Sequence, residues 1–310
     1  MEPQIRHRAA LEHVLALIAE APWSDGLVLR GSMLMTAWCG DAARVPADLD
    51  FIAVDEARPV DAQDPYPYVE LEVVQQWPEV ADGAGRYEMW TYEEFDAGGQ
   101  RPRVAPEGLR WVTEEEWEPP APYGDLVERI RRRPSAGYGV ELDAERIDED
   151  GSWGYSDYGM SGVRLMVPWR AAGSGKVAES RGHVQVEFAR DEVLPEVPVW
   201  TRIPRMDGGQ SVLLAASPAL SLRWKLNWLV EDTERAGVSR GKDLYDAVLL
   251  AELPGLPGSG RVGRSLSREE LDSVRIDWDA FLAECPQVRG TTLVQWKRRL
   301  AEALGIGGVA

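Results

Sequence analysis

Val28-Leu29-Arg30-Gly31-Ser32 and, fifteen residues further on, Asp48-Leu49-Asp50-Phe51 set a glycine–serine turn near two alternating carboxylates. Successive side chains of a strand point to opposite faces, so Asp48 and Asp50 share one. Carboxylates side by side repel each other. A divalent cation between them removes the repulsion, and Mg2+ favours hard oxygen ligands of this kind. Gly31 can take backbone angles closed to other residues, which lets the turn bring N–H groups and the Ser32 hydroxyl to a phosphate. A metal beside a phosphate cradle is the equipment of phosphoryl or nucleotidyl transfer. The same spacing recurs at Asp148/Asp150 and Asp277/Asp279, where the ordinary reading is a solvated loop or a helix start. Context sets the first pair apart. Phe51-Ile52-Ala53-Val54 follows it and Leu27-Val28-Leu29 precedes the turn, and both are apolar runs of strand character.

The chain has 310 residues, enough for a large core in one or two domains. No apolar run approaches the roughly 20 residues that span a bilayer, and the N-terminus lacks a signal-peptide apolar core. No membrane partner is expected, and the expected location is the cytoplasm. Cys39 and Cys285 make neither a disulfide framework nor a zinc site and read as packed thiols. The formal charge of −18 argues against nucleic acid at first sight, but residues 61–120 alone hold fifteen Asp/Glu against four Arg. Basic clusters lie elsewhere, at Arg129-Ile130-Arg131-Arg132-Arg133, at Arg202 and Arg205, and at Lys297-Arg298-Arg299. Each is ordinarily a solvated face. Brought together in space, they would hold a phosphate backbone.

Helical spacing covers residues 5–20, and a turn at Pro22–Gly26 precedes a strand over 27–30. A short helix over 33–38 and a strand over 49–54 follow. Residues 58–122 are rich in Pro, Gly, Glu and Trp and read as an acidic inserted subdomain with short strands at 87–92 and 109–113. Its tryptophans Trp77, Trp90, Trp111 and Trp117 are best taken as its own small core. Beyond it come a helix over 124–135 and strands at 163–167 and 183–188, the two forming a hairpin around Gly173-Ser174-Gly175. Ser217 caps a helix over 218–235 that has Pro218 at its first position, and further helices are expected at 240–252, 267–284 and 291–304.

Glu187 alternates with Val184, Val186 and Phe188 in its strand, a pattern usual for a solvated face. Beside the strand of Asp48 and Asp50 it would complete a three-carboxylate metal site or take the proton of an attacking hydroxyl. Lys225 sits among Leu222, Leu226 and Leu229 on a helix. It reads either as a snorkelling lysine or as a cation that meets a triphosphate. Asp243 and Asp246 share a face of the next helix, where one of them could orient Lys225 and Lys242 could add a second positive charge.

Six segments in this order resemble the nucleotidyltransferase toxins of the AbiEii/MenT-like family, of abortive-infection and type IV toxin–antitoxin systems. They are Leu29–Ser32, Arg44–Phe51, Gly162–Leu165, Val186–Asp191, Lys225-Leu226 and Arg240–Asp246. The resemblance spans about residues 5–55 and 124–252. It implies an α+β fold, with a polymerase-β-like nucleotidyltransferase core over 1–210 that carries the insert, and a helical domain over 211–310. It implies further that Gly31 and Ser32 hold the triphosphate and that Asp48 and Asp50 bind Mg2+. Lys225 and Asp243 (or Asp246) would contact the nucleotide and support catalysis. Glu187 stands where the family commonly has Asp, and Pro46-Ala47 replaces a more polar pair. The expected function is Mg2+-dependent transfer of a nucleotide from an NTP to an RNA 3′ hydroxyl, tRNA among the acceptors. The expected role is a toxin or phage-defence effector held in check by a separately encoded antitoxin. Two other readings stand beside it: a nucleotidyltransferase that modifies a protein or small-molecule hydroxyl, and a binding module whose acidic insert docks a basic partner.

Overall fold

A computed structural model describes residues 3–54, 93–96, 99–101, 121–150, 154–155, 160–171, 180–190, 194–255 and 266–306. The chain divides into two compact units, Asp55–Ala121 and the remainder, Met1–Val54 with Pro122–Ala310. In the larger unit, helix α1 (Pro3–Ala19) leads into strand β1 (Leu27–Arg30), helix α2 (Ser32–Cys39) and strand β2 (Asp48–Ala53). Of the smaller unit, a hairpin of β3 (Glu93–Asp96) and β4 (Gly99–Arg101) is described. The strands expected at 87–92 and 109–113, and the four insert tryptophans, lie outside the described residues.

The larger unit continues with helix α3 (Leu126–Arg132) and the short strands β5 (Ser135–Gly137), β6 (Val140–Leu142), β7 (Asp148–Asp150) and β8 (Gly154–Tyr155). Two long strands follow, β9 (Met160–Ala171) and β10 (Arg181–Ala189), then β11 (Val199–Pro204) and β12 (Gln210–Ala215). One mixed sheet results, in the order β11-β12-β1-β2-β10-β9-β6-β5, with β7 and β8 also on β9. The pairs β1–β12 and β2–β10 are parallel, and the others along this path are antiparallel. This is an α+β fold, as expected. The β9–β10 hairpin is present, although its turn at 173–175 is not among the described residues.

Hydrophobic alternation sets the register. Leu29, Phe51 and Phe188 line one face, with Phe51 and Phe188 stacked at 5.5 Å between ring centroids and fully buried. Burial of each ring contributes about 1.5–3 kcal/mol. Slipping β2 by one residue against β10 would trade Phe51 for Asp50 in this core, so the apolar pattern also fixes where the carboxylates point. Helix α1 packs on this side against β12, β10, β6 and β5, with Leu11, Val14, Leu15, Leu17 and Ile18 buried.

The remaining elements are helix α4 (Pro218–Ala236), strand β13 (Ser239–Arg240), helices α5 (Gly241–Ala251) and α6 (Arg268–Ser273), strand β14 (Ile276–Asp277), and helices α7 (Trp278–Glu284) and α8 (Leu293–Leu304). They gather a second apolar cluster in which Tyr245, Trp278, Phe281 and Trp296 meet at centroid distances of 4.8–6.0 Å. Ser217 caps α4, accepting from the Leu220 N–H at 3.0 Å, with Pro218 at the first position.

Two readings of the sequence are corrected here. The single helix expected over 267–284 is two helices separated by β14, which pairs in parallel with β13. Beyond that pairing Asp277 starts α7 afresh, its carboxylate accepting from the Ala280 N–H at 3.0 Å. Strands β11 and β12 were not anticipated. Their alternation is short and bounded by prolines, and the burial of Thr201, Ile203 and Leu213 comes from packing that local pattern does not reveal. Among the described residues no helix is long and apolar enough to cross a membrane. Cys39 and Cys285 are free thiols, half-buried and buried.

Candidate active site

The face of the sheet opposite the phenylalanines carries charge. Register sets Arg30 beside Asp50, Asp50 beside Glu187, and Glu187 beside Arg164, so a row of cation, two acids and cation crosses β1, β2, β10 and β9. Asp48 lies one pleat along, beside Gln185. Gly31 ends β1 at φ +81°, and a Cβ there would collide with the Asp50 Oδ2 atom. The next residue, Ser32, opens α2 and donates from Oγ to Asp48 Oδ1 at 3.3 Å. The turn and the two carboxylates expected to act together are therefore in contact. Gly31→Ala meets both the left-handed angle and the collision. It is expected to cost about 1–3 kcal/mol of stability in a urea melt and to lower any activity of this site by about 100-fold through displacement of Asp50.

Glu187 is placed beside the pair but is already engaged. Arg164 donates from Nε and Nη2 to Glu187 Oε1 at 3.0 and 2.8 Å, and Gln185 Nε2 donates to the same oxygen. Among the described residues the hydrogen bonds to Glu187 all fall on Oε1, and no group of three or more His, Cys, Asp or Glu side chains closes into a metal cage. Burial, followed by repulsion from Asp48, holds the Asp50 carboxyl well above the usual carboxylate range, and Glu187 adds to the effect. Arg30 and Lys242 act in the opposite direction. Two adjacent carboxylates that repel, one of them protonated more readily for that reason, suit a hard divalent cation. Asp48 and Asp50 fit Mg2+ on donor chemistry, while Glu187 beside them is tied through Oε1 to Arg164 and Gln185.

The helical side brings the other expected residues together. Lys225 Nζ is 2.7 Å from Asp243 Oδ1 and 3.3 Å from Asp246 Oδ2, so both acids hold it rather than one. Arg44 reaches the same Asp246, with Nε at 3.1 and 3.2 Å from its oxygens and Nη2 at 3.0 Å. Burial works against the charge on Lys225, but Asp243 and Asp246 outweigh it and the pKa is raised. Burial likewise opposes the charge on Asp243, yet Lys225 and then Lys242 lower its pKa. Lys242 is half-buried, and its charge acts on both Asp50 and Asp243, as that of Arg44 acts on Asp48, Asp243 and Asp246.

Arg44, Arg164 and Gln185 were not singled out beforehand. Arg44 and Arg164 lie in segments that carry the resemblance, but nothing local says that one would fork onto Asp246 and the other onto Glu187. Arg30 had a usable signal, since strand alternation points it away from Leu29, on the face opposite the core that Asp50 shares. The basic clusters are largely balanced by their own neighbours. Arg129 pairs with Asp125, Arg131 and Arg132 with Glu128, Arg133 with Glu20, Arg205 with Asp207 and Arg299 with Glu252. The Asp-x-Asp at Asp148/Asp150 lies on exposed β7, and Asp277 is a helix cap.

No family model and no curated protein matches the chain. Among solved structures it is similar to JHP933 from Helicobacter pylori, with a TM-score of 0.45 and 13% identity over 98% of this chain and 91% of that one.

Proposed function

We propose that this chain is an Mg2+-dependent nucleotidyltransferase with a polymerase-β-like core, transferring a nucleotide from an NTP to an RNA hydroxyl and acting as a toxin or defence effector under a separate antitoxin. The observation that carries the reading is the contact between the Gly31-Ser32 turn and the Asp48/Asp50 pair. Order along the chain supports it as well, because the segments resembling nucleotidyltransferase toxins supply this turn, this pair, Glu187 and the Lys225–Asp243 contact.

In this reading Asp48 and Asp50 hold Mg2+, which when bound offsets the negative charge of the triphosphate and of the attacking oxygen. The absence of a side chain at Gly31 lets the turn lie directly against Asp50, so its backbone N–H groups meet the triphosphate beside the carboxylates. Lys242 adds positive charge at the same place. The acceptor hydroxyl attacks the α-phosphorus in line. An oxygen–phosphorus bond forms there, the bond to the β-phosphate oxygen breaks, and pyrophosphate leaves. Glu187 Oε2 takes the hydroxyl proton, while Arg164 and Gln185 fix the carboxylate through Oε1. Lys225 is saturated by two acids, so its part is to set the position of Asp243 and of α5, which carries Lys242.

Radiolabelled NTPs incubated with total RNA, protein extract and small acceptors test this directly. Label in RNA is expected. Label in protein alone would transfer the reading to a protein-modifying enzyme, and label in none of the three, with Mg2+ present, would overturn it. Mg2+ is also expected to raise the melting temperature of the protein, more at about pH 8 than at about pH 4, because it binds the ionised Asp50. A melting temperature indifferent to Mg2+ at both values would remove the metal from the scheme.

A further inference from the structure

Helix α4 presents a second stripe beside its buried leucines. Ser221, Trp224, Lys225 and Trp228 recur at helical spacing and share one face. Trp224 packs against the sheet core, and the Arg30 guanidinium lies 5.8 Å from its ring centroid. Trp228 differs. It is half-buried, yet among the described residues it belongs to neither hydrophobic cluster. Its recorded ring contact is polar: the Lys225 ammonium sits 4.9 Å from the centroid. That ammonium is the one held by Asp243 and Asp246, whose neighbour Lys242 acts on Asp50. Arg30, which meets the Trp224 ring, is the register neighbour of Asp50, so the stripe runs beside the carboxylate row, and Trp228 stands on it one turn beyond Trp224 with a cation on one ring face. One turn before Trp224 on the same stripe, the buried Ser221 hydroxyl has no hydrogen-bond partner among the described residues.

A large indole left out of both cores, with one face fixed by a lysine of the site, has an aromatic surface to offer a flat ligand. Building on the nucleotidyltransferase reading, we infer that Trp228 is the platform on which the base of the incoming nucleoside triphosphate stacks. Its second ring face takes the base, while the triphosphate lies toward Gly31, Ser32 and Lys242. Stacking of this kind tolerates any base, because every base has a π face. The platform therefore supplies affinity and orientation more than choice among bases. It also explains why Lys225 is doubly paired: a lysine fixed by two carboxylates keeps the indole at a constant tilt.

Calorimetric titration of the full chain with Mg-ATP and with Mg-tripolyphosphate, which has the phosphates but neither sugar nor base, tests the assignment. Wild type is expected to bind ATP more tightly than tripolyphosphate. Trp228→Ala should weaken ATP by about 5- to 100-fold and leave tripolyphosphate unchanged, and Trp228→Phe should recover most of the loss. Equal weakening of both ligands in Trp228→Ala, or ATP binding unchanged by it, overturns the platform while the nucleotidyltransferase reading stands. Failure of wild type to bind either ligand overturns that reading and the platform with it. A thermal melt of Trp228→Ala at the wild-type midpoint secures the comparison.

Discussion

Asp48→Asn and Asp50→Asn are each expected to lower nucleotide transfer by at least about 1,000-fold without unfolding the protein. Either change removes a hard anionic oxygen and leaves a neutral amide of the same shape, so the strands keep their packing. The stability of Asp50→Asn should even move the other way. Burial and the charge of Asp48 raise the folded-state pKa of Asp50. The folded protein thus binds this proton more tightly than the unfolded chain does. The contribution of Asp50 to stability is full below its unfolded value of about 4 and is lost as pH rises through the folded one. Asparagine has no charge to desolvate. Asp50→Asn should therefore melt above wild type at about pH 8 in the absence of metal, and the gap should close toward about pH 4. Retained labelling of acceptors in either variant would exclude the proposed chemistry. A lower melting point for Asp50→Asn at high pH would mean that the carboxylate is stabilised by its cations instead.

Asp246→Ala should be the most damaging single change to the fold. Asp246 is fully buried and receives both Arg44 and Lys225. Removing it strands the almost wholly buried Arg44 guanidinium and leaves Lys225 with Asp243 alone, at a cost of about 3–5 kcal/mol. For a chain of this size that corresponds to a melting temperature lower by roughly 6–20 °C. Asp243→Asn should cost less, because Asp246 still holds Lys225 and the amide oxygen still accepts from it. Scanning calorimetry of the two variants distinguishes them. A loss under about 1 kcal/mol for Asp246→Ala would mean that water reaches the network and that the ion pairs are of the weak surface kind.

Much of the candidate site is legible in the sequence. Strand alternation put Asp48 and Asp50 on one face, and the same rule applied to β10 put Glu187 opposite Val186 and Phe188. The helix over 218–235 could be bounded to within a residue because Ser217 and Pro218 act through local backbone geometry. These readings succeed because they depend on neighbours a few residues apart. The helix expected over 267–284 failed for a complementary reason. Its break follows from the pairing of residues 276–277 with 239–240, a contact across some 37 positions that helical periodicity does not register.

What local chemistry dictates here is orientation: which side chains share a face, where a helix begins, and which residue can turn at a positive φ. Which charges become partners was settled only by the assembled sheet and helices. Arg164 reaches Glu187 because β9 runs antiparallel to β10, and Arg44 reaches Asp246 because α5 folds back over the segment before β2. Pairing strength in a low-dielectric interior depends on distances of a few ångströms between residues up to about 200 positions apart. Composition carries no record of such distances, so the acidic pair could be read from the chain while the pairing of Arg164 with Glu187 and of Arg44 with Asp246 could not.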